Sequence, residues 1–271
     1  MSSGRVRIVG SVLVHNEDLF VERAIRNAAA FFDRIHVFDH VSTDGTWDVL
    51  RALAGEYDHL EAKRTRNSGD AHAALAPYAG TPTWVLGVDG DELYDPAGLA
   101  RLREALLAGE HADVFRLKAH VLNCDELDEE RRTASGWLAP PSRPVTKLFY
   151  YGAVDAWPSS PDPLQTGDPQ FREGYGWEAR RDLADATGWD DDPLRLLHVC
   201  FLRRSSSDPE RDWALRYSVN ETLTYRRDLV GAVIRRVRGT PAGRDPANWK
   251  DRWYRLGDRV TLDASPFLGT A

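Results

Sequence analysis

The chain is poor in sulfur. Its 271 residues include two cysteines and one methionine. Two cysteines are too few for a disulfide framework, and Cys124 and Cys200 both lie in apolar stretches far apart in the sequence. We interpret them as free buried thiols in a reducing compartment, which predicts a cytoplasmic protein.

Long apolar runs and an excess of basic residues are also lacking. No apolar segment is long enough to cross a bilayer, and the early run at residues 6–14 is too short for a secretory signal. Lysine and arginine number 35 against 42 aspartates and glutamates, for a net charge of −7. A general nucleic-acid binder would carry a basic field instead. With 42% hydrophobic residues and nine tryptophans, the chain can build a sizeable core.

The first half alternates between strand and helix patterns. Three β-branched or apolar runs, VRIVGSVLV, RIHVFDH and TWVLGVDGDE, predict strands, and each is followed by apolar residues at helical spacing. Such alternation is typical of right-handed βαβ units. It predicts an α/β fold with a mostly parallel central sheet and helices on both faces.

The pattern changes after residue 112. DVFRLKAHVL alternates between apolar and polar residues, and VTKLFYY and LRLLHVCFL read as two more strands of a smaller mixed sheet. Residues 157–192 are rich in Pro, Gly and Asp, which predicts long loops with one short helix. A long helix is predicted from Asp208 and Pro209, and a basic amphipathic helix over residues 226–238. We favour a basic helix packed on the domain over one bound to an anionic membrane surface.

An acidic cluster marks the end of the third predicted strand. Asp89 and Asp91 stand two positions apart, so their side chains lean to the same side of an extended segment. Two such carboxylates repel each other unless a cation stands between them. Hard oxygen ligands suit Mg²⁺ or Mn²⁺. An EF-hand loop starting at Asp89 is excluded, because its sixth residue is Tyr94 and its twelfth is Ala100.

Three other polar segments stand at predicted strand ends or just before the third strand: VHNE, FDHVSTDGT and RNSGDAHAAL. Together with DGDE, and in this order, they resemble the nucleotide-binding half of GT-A glycosyltransferases of the family 2-like group. The resemblance covers residues 6–122. It implies a GT-A fold with a helical C-terminal part. It also implies a UDP-, GDP- or dTDP-linked sugar donor, with an acceptor of unknown identity, whereas the acidic net charge argues against a nucleic-acid partner.

The resemblance assigns roles to individual residues. The donor would contact Val14, His15, Asn16, Glu17, Asp39, Asn67, Asp89, Gly90 and Lys147. Asp91 would be the main metal carboxylate, with Asp89 and His198 as further ligands. An imidazole ligand favours Mn²⁺ over Mg²⁺. Three alternatives stay open: a loop-building Asn67, a Lys147 on the wet face of its strand, and a His198 that is a satisfied core residue.

The segment EGYGWEARRD is partly similar to the Trp–Gly–Glu–Asp acceptor segment of inverting GT-A enzymes. An inverting transfer needs a carboxylate that takes the proton of the acceptor hydroxyl. Glu178 is the first candidate for this base, followed by Asp155 and Asp182.

The domain hypothesis has three parts: a donor-binding half over residues 1–122, acceptor-side strands and loops over 123–205, and a helical extension over 206–271. The predicted function is metal-dependent, inverting transfer of a sugar to a hydroxyl or similar acceptor. A sugar-phosphate nucleotidyltransferase is the first alternative, although LVHNEDLF lacks the glycines of its phosphate loop. The second is a nucleotide-sugar-binding module without catalysis.

Overall fold

The computed structural model describes residues 5–158, 167–207, 209, 213 and 246–269. The strands are β1 (Arg7–Val14), β2 (Arg34–Asp39), β3 (Leu60–Arg64), β4 (Thr83–Val88), β5 (Glu92–Tyr94), β6 (Arg116–Lys118), β7 (Val121–Asp128), β8 (Thr133–Ala139), β9 (Lys147–Tyr150), β10 (Val154–Ala156), β11 (Gln170–Phe171), β12 (Arg180–Asp182), β13 (Leu196–His198) and β14 (Arg259–Asp263). The helices are α1 (Val21–Ala29), α2 (Thr46–Glu56), α3 (Gly69–Ala73), α4 (Pro96–Leu107), Pro246–Tyr254 and Ser265–Leu268, with 3₁₀ turns at Ala76–Tyr78, Tyr151–Ala153 and Leu183–Asp185.

A seven-stranded sheet forms the centre, in the order β12-β6-β9-β4-β1-β2-β3. Strands β4, β1, β2 and β3 are parallel, whereas β9 runs antiparallel to both of its neighbours. Even-numbered residues of β1 and β4 pack into one buried cluster and Val9 and Val85 into another, so both faces of the sheet are covered. The predicted α/β fold with a mostly parallel sheet is confirmed.

Strand β3 is absent from the sequence prediction. Its residues, LEAKR, contain a single buried side chain, Leu60, because β3 lies at the edge of the sheet. An edge strand with both faces partly in water has no apolar run that would reveal it. The strand nevertheless supplies Arg64, which faces the end of β2.

A second sheet of five strands has the order β14-β8-β7-β13-β5. The single strand predicted over residues 113–122 is in fact two, because β6 joins the large sheet and β7 the second one. The chain also changes sheets between β4 and β5, at the acidic turn. There β13 lies between β5 and β7, with His198 opposite both Glu92 and Asn123.

The described C-terminal residues include a strand as well as helices. After helix Pro246–Tyr254, β14 pairs antiparallel with β8 and extends the second sheet. The helices predicted from Asp208 onward and over residues 226–238 lie outside the described residues. No helix in the described part of the chain is long and apolar enough to cross a membrane.

Candidate active site at the carboxyl edge of the sheet

The carboxyl ends of β1, β2 and β4 lie side by side. Val14 at the end of β1 is in register with Asp39 at the end of β2, and Val12 with Val88 at the end of β4. In open parallel sheets, ligands bind at this edge. Three polar segments follow these strand ends: residues 15–18, 40–46 and 89–91.

The segment after β1 is bonded to the turn that follows β2. Asn16 has a positive φ of 56°, a conformation that asparagine tolerates. Its side-chain oxygen accepts a hydrogen bond from the Thr43 amide (2.7 Å), and its own amide donates to Ser42 Oγ (2.9 Å). The Glu17 amide donates to Thr46 Oγ1 (2.9 Å). The Ser-Thr-Asp-Gly-Thr turn is therefore a scaffold that orients the residues after β1.

Asp39 is fully buried at this edge. Its carboxylate accepts hydrogen bonds from Arg64 Nε (2.6 Å) and from the Ser42 amide (3.1 Å). Close by, His15 Nδ1 lies 2.7 Å from the carbonyl oxygen of His40. The roles of Asp39, His15 and the buried Val14 in nucleoside binding stay predictions.

Gly90 lies where the turn after β4 meets the segment after β1. A Cβ atom at this position would lie 2.4 Å from Glu17 Oε2, so any larger residue would require the Glu17 carboxylate to shift. The two aspartates beside it differ in environment: the Asp89 side chain is 48% exposed, whereas Asp91 is 3% exposed. Asp89 faces Lys147, and Asp91 faces Arg204.

Arg204, Glu17 and Asp91 form the arginine cluster. One guanidinium nitrogen, Nη1, lies 3.0 Å from Glu17 Oε1 and also contacts Asp91 Oδ2. Burial by itself raises the pKa of Asp91, but the surrounding positive groups, with Arg204 the strongest, together outweigh it and lower that pKa to about 2. Burial raises the pKa of Glu17 to about 8, against the opposing effect of Arg204.

Lys147, Asp89 and Glu92 form the lysine cluster. The Lys147 ammonium is 2.5 Å from Asp89 Oδ2 and 3.2 Å from Glu92 Oε1, and its side chain is 5% exposed. Burial opposes the charge of Lys147, but Asp89 and Glu92 outweigh it and raise its pKa. Burial also raises the pKa of Glu92 to about 8. Lys147 thus points toward the acidic turn rather than away from it.

His198 is held in one orientation by Asn123. The His198 Nδ1 lies 2.9 Å from Asn123 Oδ1, and an amide oxygen only accepts hydrogen bonds. Nδ1 therefore carries the proton, and Nε2 presents its lone pair to Asp91 Oδ2, 3.6 Å away. Burial lowers the pKa of His198 to about 4, although Asp91 opposes the shift, so the imidazole is neutral at pH 7. The Tyr254 ring packs edge-on against it at 5.3 Å.

Asp91 and His198 fit a divalent cation. At an ion–ligand distance of about 2.1 Å, two ligands of one ion lie at most about 4.2 Å apart, and the 3.6 Å between Oδ2 and Nε2 is within that limit. Across the described residues, no group of three or more His, Cys, Asp or Glu side chains is arranged to hold a metal. Asp89, predicted as a further ligand, pairs with Lys147 in this structure, and its role at the metal stays a prediction.

The segment of residues 203–207, after β13, lies against the strand ends. Ser205 Oγ donates to Asp44 Oδ2 (2.6 Å), the Ser206 amide donates to Asp18 Oδ1 (2.8 Å), and the Leu19 amide donates to the Arg204 carbonyl (3.1 Å). Sequence reasoning missed Arg204. Its only signal was a pair of arginines shortly after His198 in a polar segment, a pattern usually typical of a solvated loop.

The structure places the three candidate bases differently. Glu178 is exposed, pairs with Arg180 (3.2 Å) and precedes β12, at the opposite edge of the sheet from the acidic turn. Asp182 ends β12 and lies at the same edge as the acidic turn, where its side chain accepts a hydrogen bond from the Ala184 amide (3.2 Å). The lead candidate, Glu178, is therefore not brought to the site.

Two other predicted residues, Asp155 and Asn67, lie outside the arginine and lysine clusters. Asp155 is exposed and pairs with Arg172 (2.7 Å), whose guanidinium lies beside Gly80, just before β4 begins. Asn67 builds its own loop, because its side chain accepts from the Gly69 amide (3.1 Å) and donates to Asp70 (3.0 Å). The contact of Asn67 with a donor stays a prediction.

Comparison with known families identifies the chain. The model of glycosyl transferase family 2 matches residues 12–153, slightly more than half of the chain. The chain belongs to this family. The matched region contains the parallel strands, the acidic turn and Lys147, so both clusters lie largely within the family's glycosyltransferase domain.

Two solved structures are similar to part of this family 2 chain. One is mannosyltransferase PcManGT from Pyrobaculum calidifontis in complex with GDP-Man and Mn²⁺, at 24% identity over 46% of this chain and 37% of that one, with a TM-score of 0.33. The other is glucosyl-3-phosphoglycerate synthase from Mycobacterium tuberculosis in complex with phosphoglyceric acid, at 22% identity over 42% of this chain and 44% of that one, with a TM-score of 0.32. The match spans less than half the length of either structure. No curated protein matches the chain.

Proposed function

We propose that this glycosyltransferase moves a hexosyl group from a nucleotide-sugar to a hydroxyl acceptor, with a divalent cation and with inversion. The observation that carries the proposal is the pair of buried atoms that face each other, Asp91 Oδ2 and His198 Nε2, 3.6 Å apart. Both bear lone pairs, and two such atoms facing each other are stabilised by a cation between them.

The chemistry of the pair favours Mn²⁺ over Mg²⁺. One carboxylate and one neutral imidazole are ligands that Mn²⁺ accepts, whereas Mg²⁺ prefers oxygen throughout. Two protein ligands leave room for diphosphate oxygens. When bound, such a cation neutralises the charge that develops on the leaving nucleoside diphosphate.

Lys147 supports the same assignment from the other side of the acidic turn. Its ammonium lies within the fold, directly below the half-exposed carboxylate of Asp89. A fixed positive charge at this edge stabilises a diphosphate in a site with low water content. We assign Glu17, His15 and Asp39 to the nucleoside, since they follow β1 and β2 on the neighbouring strand ends.

Asp182 is the base we propose for the acceptor hydroxyl. It ends β12, and its register through Lys118 and Lys147 places it level with Gly87, near the end of β4. Glu178 and Asp155 do not share this edge. We accordingly keep residues 1–122 as the donor side, 123–205 as the acceptor side and 206–271 as an extension.

The first test is a thermal-shift screen of UDP-, GDP- and dTDP-hexoses with and without Mn²⁺. A donor that binds only the folded state raises the melting temperature. The donor found in this way is then used to measure Mn²⁺-dependent hydrolysis and transfer, with an EDTA-treated sample beside it. Full activity in EDTA would contradict the metal dependence and leave Arg204 and Lys147 as the cations of the site.

The variant Asp91→Asn tests the assignment of Asp91 as the metal carboxylate. It keeps the shape of the side chain but removes the charged ligand, so we expect Mn²⁺-dependent turnover to fall by about 100-fold or more while the fold is retained. Asp113→Asn is the control, because that carboxylate pairs with Arg181 on the surface (2.8 Å). If Asp91→Asn turned over donor as fast as Asp113→Asn, the metal assignment would be wrong.

A further inference from the structure

Arg204 binds the same carboxylate oxygen that faces His198. Its Nη1 contacts Asp91 Oδ2, and that oxygen is the one 3.6 Å from His198 Nε2. All three side chains are buried. The charge that balances Asp91 in this conformation is therefore a guanidinium supplied by the chain itself.

A guanidinium and a divalent cation cannot share this oxygen at low cost. At contact distance, two positive charges repel each other strongly in a buried site, where the effective dielectric constant is well below that of water. Either the guanidinium or the metal holds Asp91 Oδ2. The two are competitors for one atom.

The attachment of Arg204 allows it to leave. Arg204 belongs to no helix or strand. The backbone and hydroxyls of the 203–207 segment are held by hydrogen bonds to Asp44 and Asp18, and the Arg204 guanidinium also lies over the buried Trp213 ring, 5.1 Å from its centroid. A guanidinium that turns away from Asp91 still has Glu17 Oε1 within reach, 3.0 Å from Nη1. Displacement therefore leaves the guanidinium with a hydrogen-bond acceptor.

From these contacts we infer that Arg204 is a resident counter-ion of Asp91 that a divalent cation must displace, so that Arg204 sets the metal affinity of the site. The inference rests on the proposed function, because it takes Asp91 as the metal carboxylate. Displacement of the guanidinium also removes the contact between Arg204 of this segment and Asp91 of the acidic turn. Binding of the cation and movement of the Arg204 side chain are then one coupled event.

The test measures Mn²⁺ binding by electron paramagnetic resonance, with the full chain, no donor and constant pH. If the state with Arg204 on Asp91 is ten times more populated than the open state, the apparent affinity is about tenfold weaker than the intrinsic one. Arg204→Met should therefore bind Mn²⁺ about tenfold more tightly than the wild type. Arg204→Lys, which keeps a charge but loses the fork of donors, should lie between them.

Arg203→Met is the matched control. Among the described residues, the Arg203 guanidinium donates to the carbonyls of Ser205 (2.9 Å) and Ser206 (2.8 Å). It is the neighbouring arginine of the same segment, and its removal should leave Mn²⁺ affinity unchanged. If Arg204→Met fails to fold by circular dichroism, the double variant Arg204→Met/Glu17→Gln removes one of the two carboxylates left behind and is measured against Glu17→Gln.

The outcomes separate this inference from the proposed function. If wild-type Mn²⁺ binding is lost in Asp91→Asn but Arg204→Met binds no more tightly than the wild type, the resident counter-ion is overturned and the metal assignment stands. If no variant binds Mn²⁺ at millimolar concentration, both are overturned. Tighter binding in Arg204→Met together with unchanged binding in Arg203→Met supports the inference.

Discussion

The arginine and lysine clusters lie on either side of the acidic turn. Each consists of a buried cationic side chain between two acidic side chains. They differ in how the cation is attached. Lys147 begins β9, which is hydrogen-bonded between β4 and β6 in the middle of the large sheet. Arg204 belongs to a segment without strand pairing. The position of a charge on a central strand is fixed by the hydrogen bonds of the sheet. A charged side chain on an irregular segment can move away from its carboxylate, so that a ligand can take its place.

The largest effect should come from the lysine cluster. Well above pH 8, where the Glu92 carboxyl is ionised, Lys147→Met leaves that charge fully buried without its cation, and breaking a buried pair in this way costs about 3 kcal/mol or more of unfolding free energy. Urea unfolding measures the loss, with Lys118→Met on the neighbouring strand β6 as the control, for which we expect less than about 1 kcal/mol.

Adding Glu92→Gln to Lys147→Met should restore part of that stability, because the orphaned charge is removed. A Lys147→Met variant as stable as Lys118→Met would show that the lysine cluster does not hold the fold. The contrast between the two clusters would then fail.

A smaller effect is expected at Gly90, between the clusters. In Gly90→Ala, the new methyl group would meet Glu17 Oε2 at 2.4 Å and force that carboxylate away from its place. We expect a loss of about 2 kcal/mol, as for an overpacked core position. Gly188→Ala is the control, since a Cβ there meets no atom of the described residues within 4 Å. Equal melting temperatures for the two variants would contradict the tight approach.

The smallest effect should be seen at Asn123, behind His198. Asn123→Leu keeps the volume but removes the acceptor that holds the imidazole tautomer, so Mn²⁺ affinity should fall by about tenfold. Asn27→Leu removes a buried amide of similar environment, one that donates to the carbonyls of Tyr94 (2.9 Å) and Phe267 (2.8 Å). That variant should lose stability but keep its Mn²⁺ affinity. Equal affinity in both variants would mean that Asn123 does not position His198.

The parts of the fold that the sequence predicts are those with a strong local signal. The apolar runs of β1, β2 and β4 and the acidic turn are readable because the strands are buried on both faces and the turn residues have few other uses. Strand β3 escapes because it lies at the sheet edge. The division of residues 113–122 into β6 and β7 escapes because the alternation of side chains continues across the change of sheets.

Site residues that directly follow a predicted strand could be predicted from the sequence. Site residues that are brought in only by tertiary contacts could not. Asp89 and Asp91 follow from their position after β4, and the approach of His198 to Asp91 agrees with the place that the family resemblance gives His198. Arg204 was not, because nothing in a loop sequence distinguishes a buried arginine from a solvated one. Glu178 shows the opposite error, since a short motif does not state at which end of its strand it lies.

The pairing of β5 with β13 also determines when the site can exist. It brings Glu92 opposite His198, residues more than a hundred positions apart. Closing so long a loop costs conformational entropy that only the assembled second sheet repays. On the ribosome, the acidic turn emerges well before its histidine and its arginine do. A nascent chain therefore has neither His198 nor Arg204 beside the acidic turn until β13 and the 203–207 segment have been synthesised.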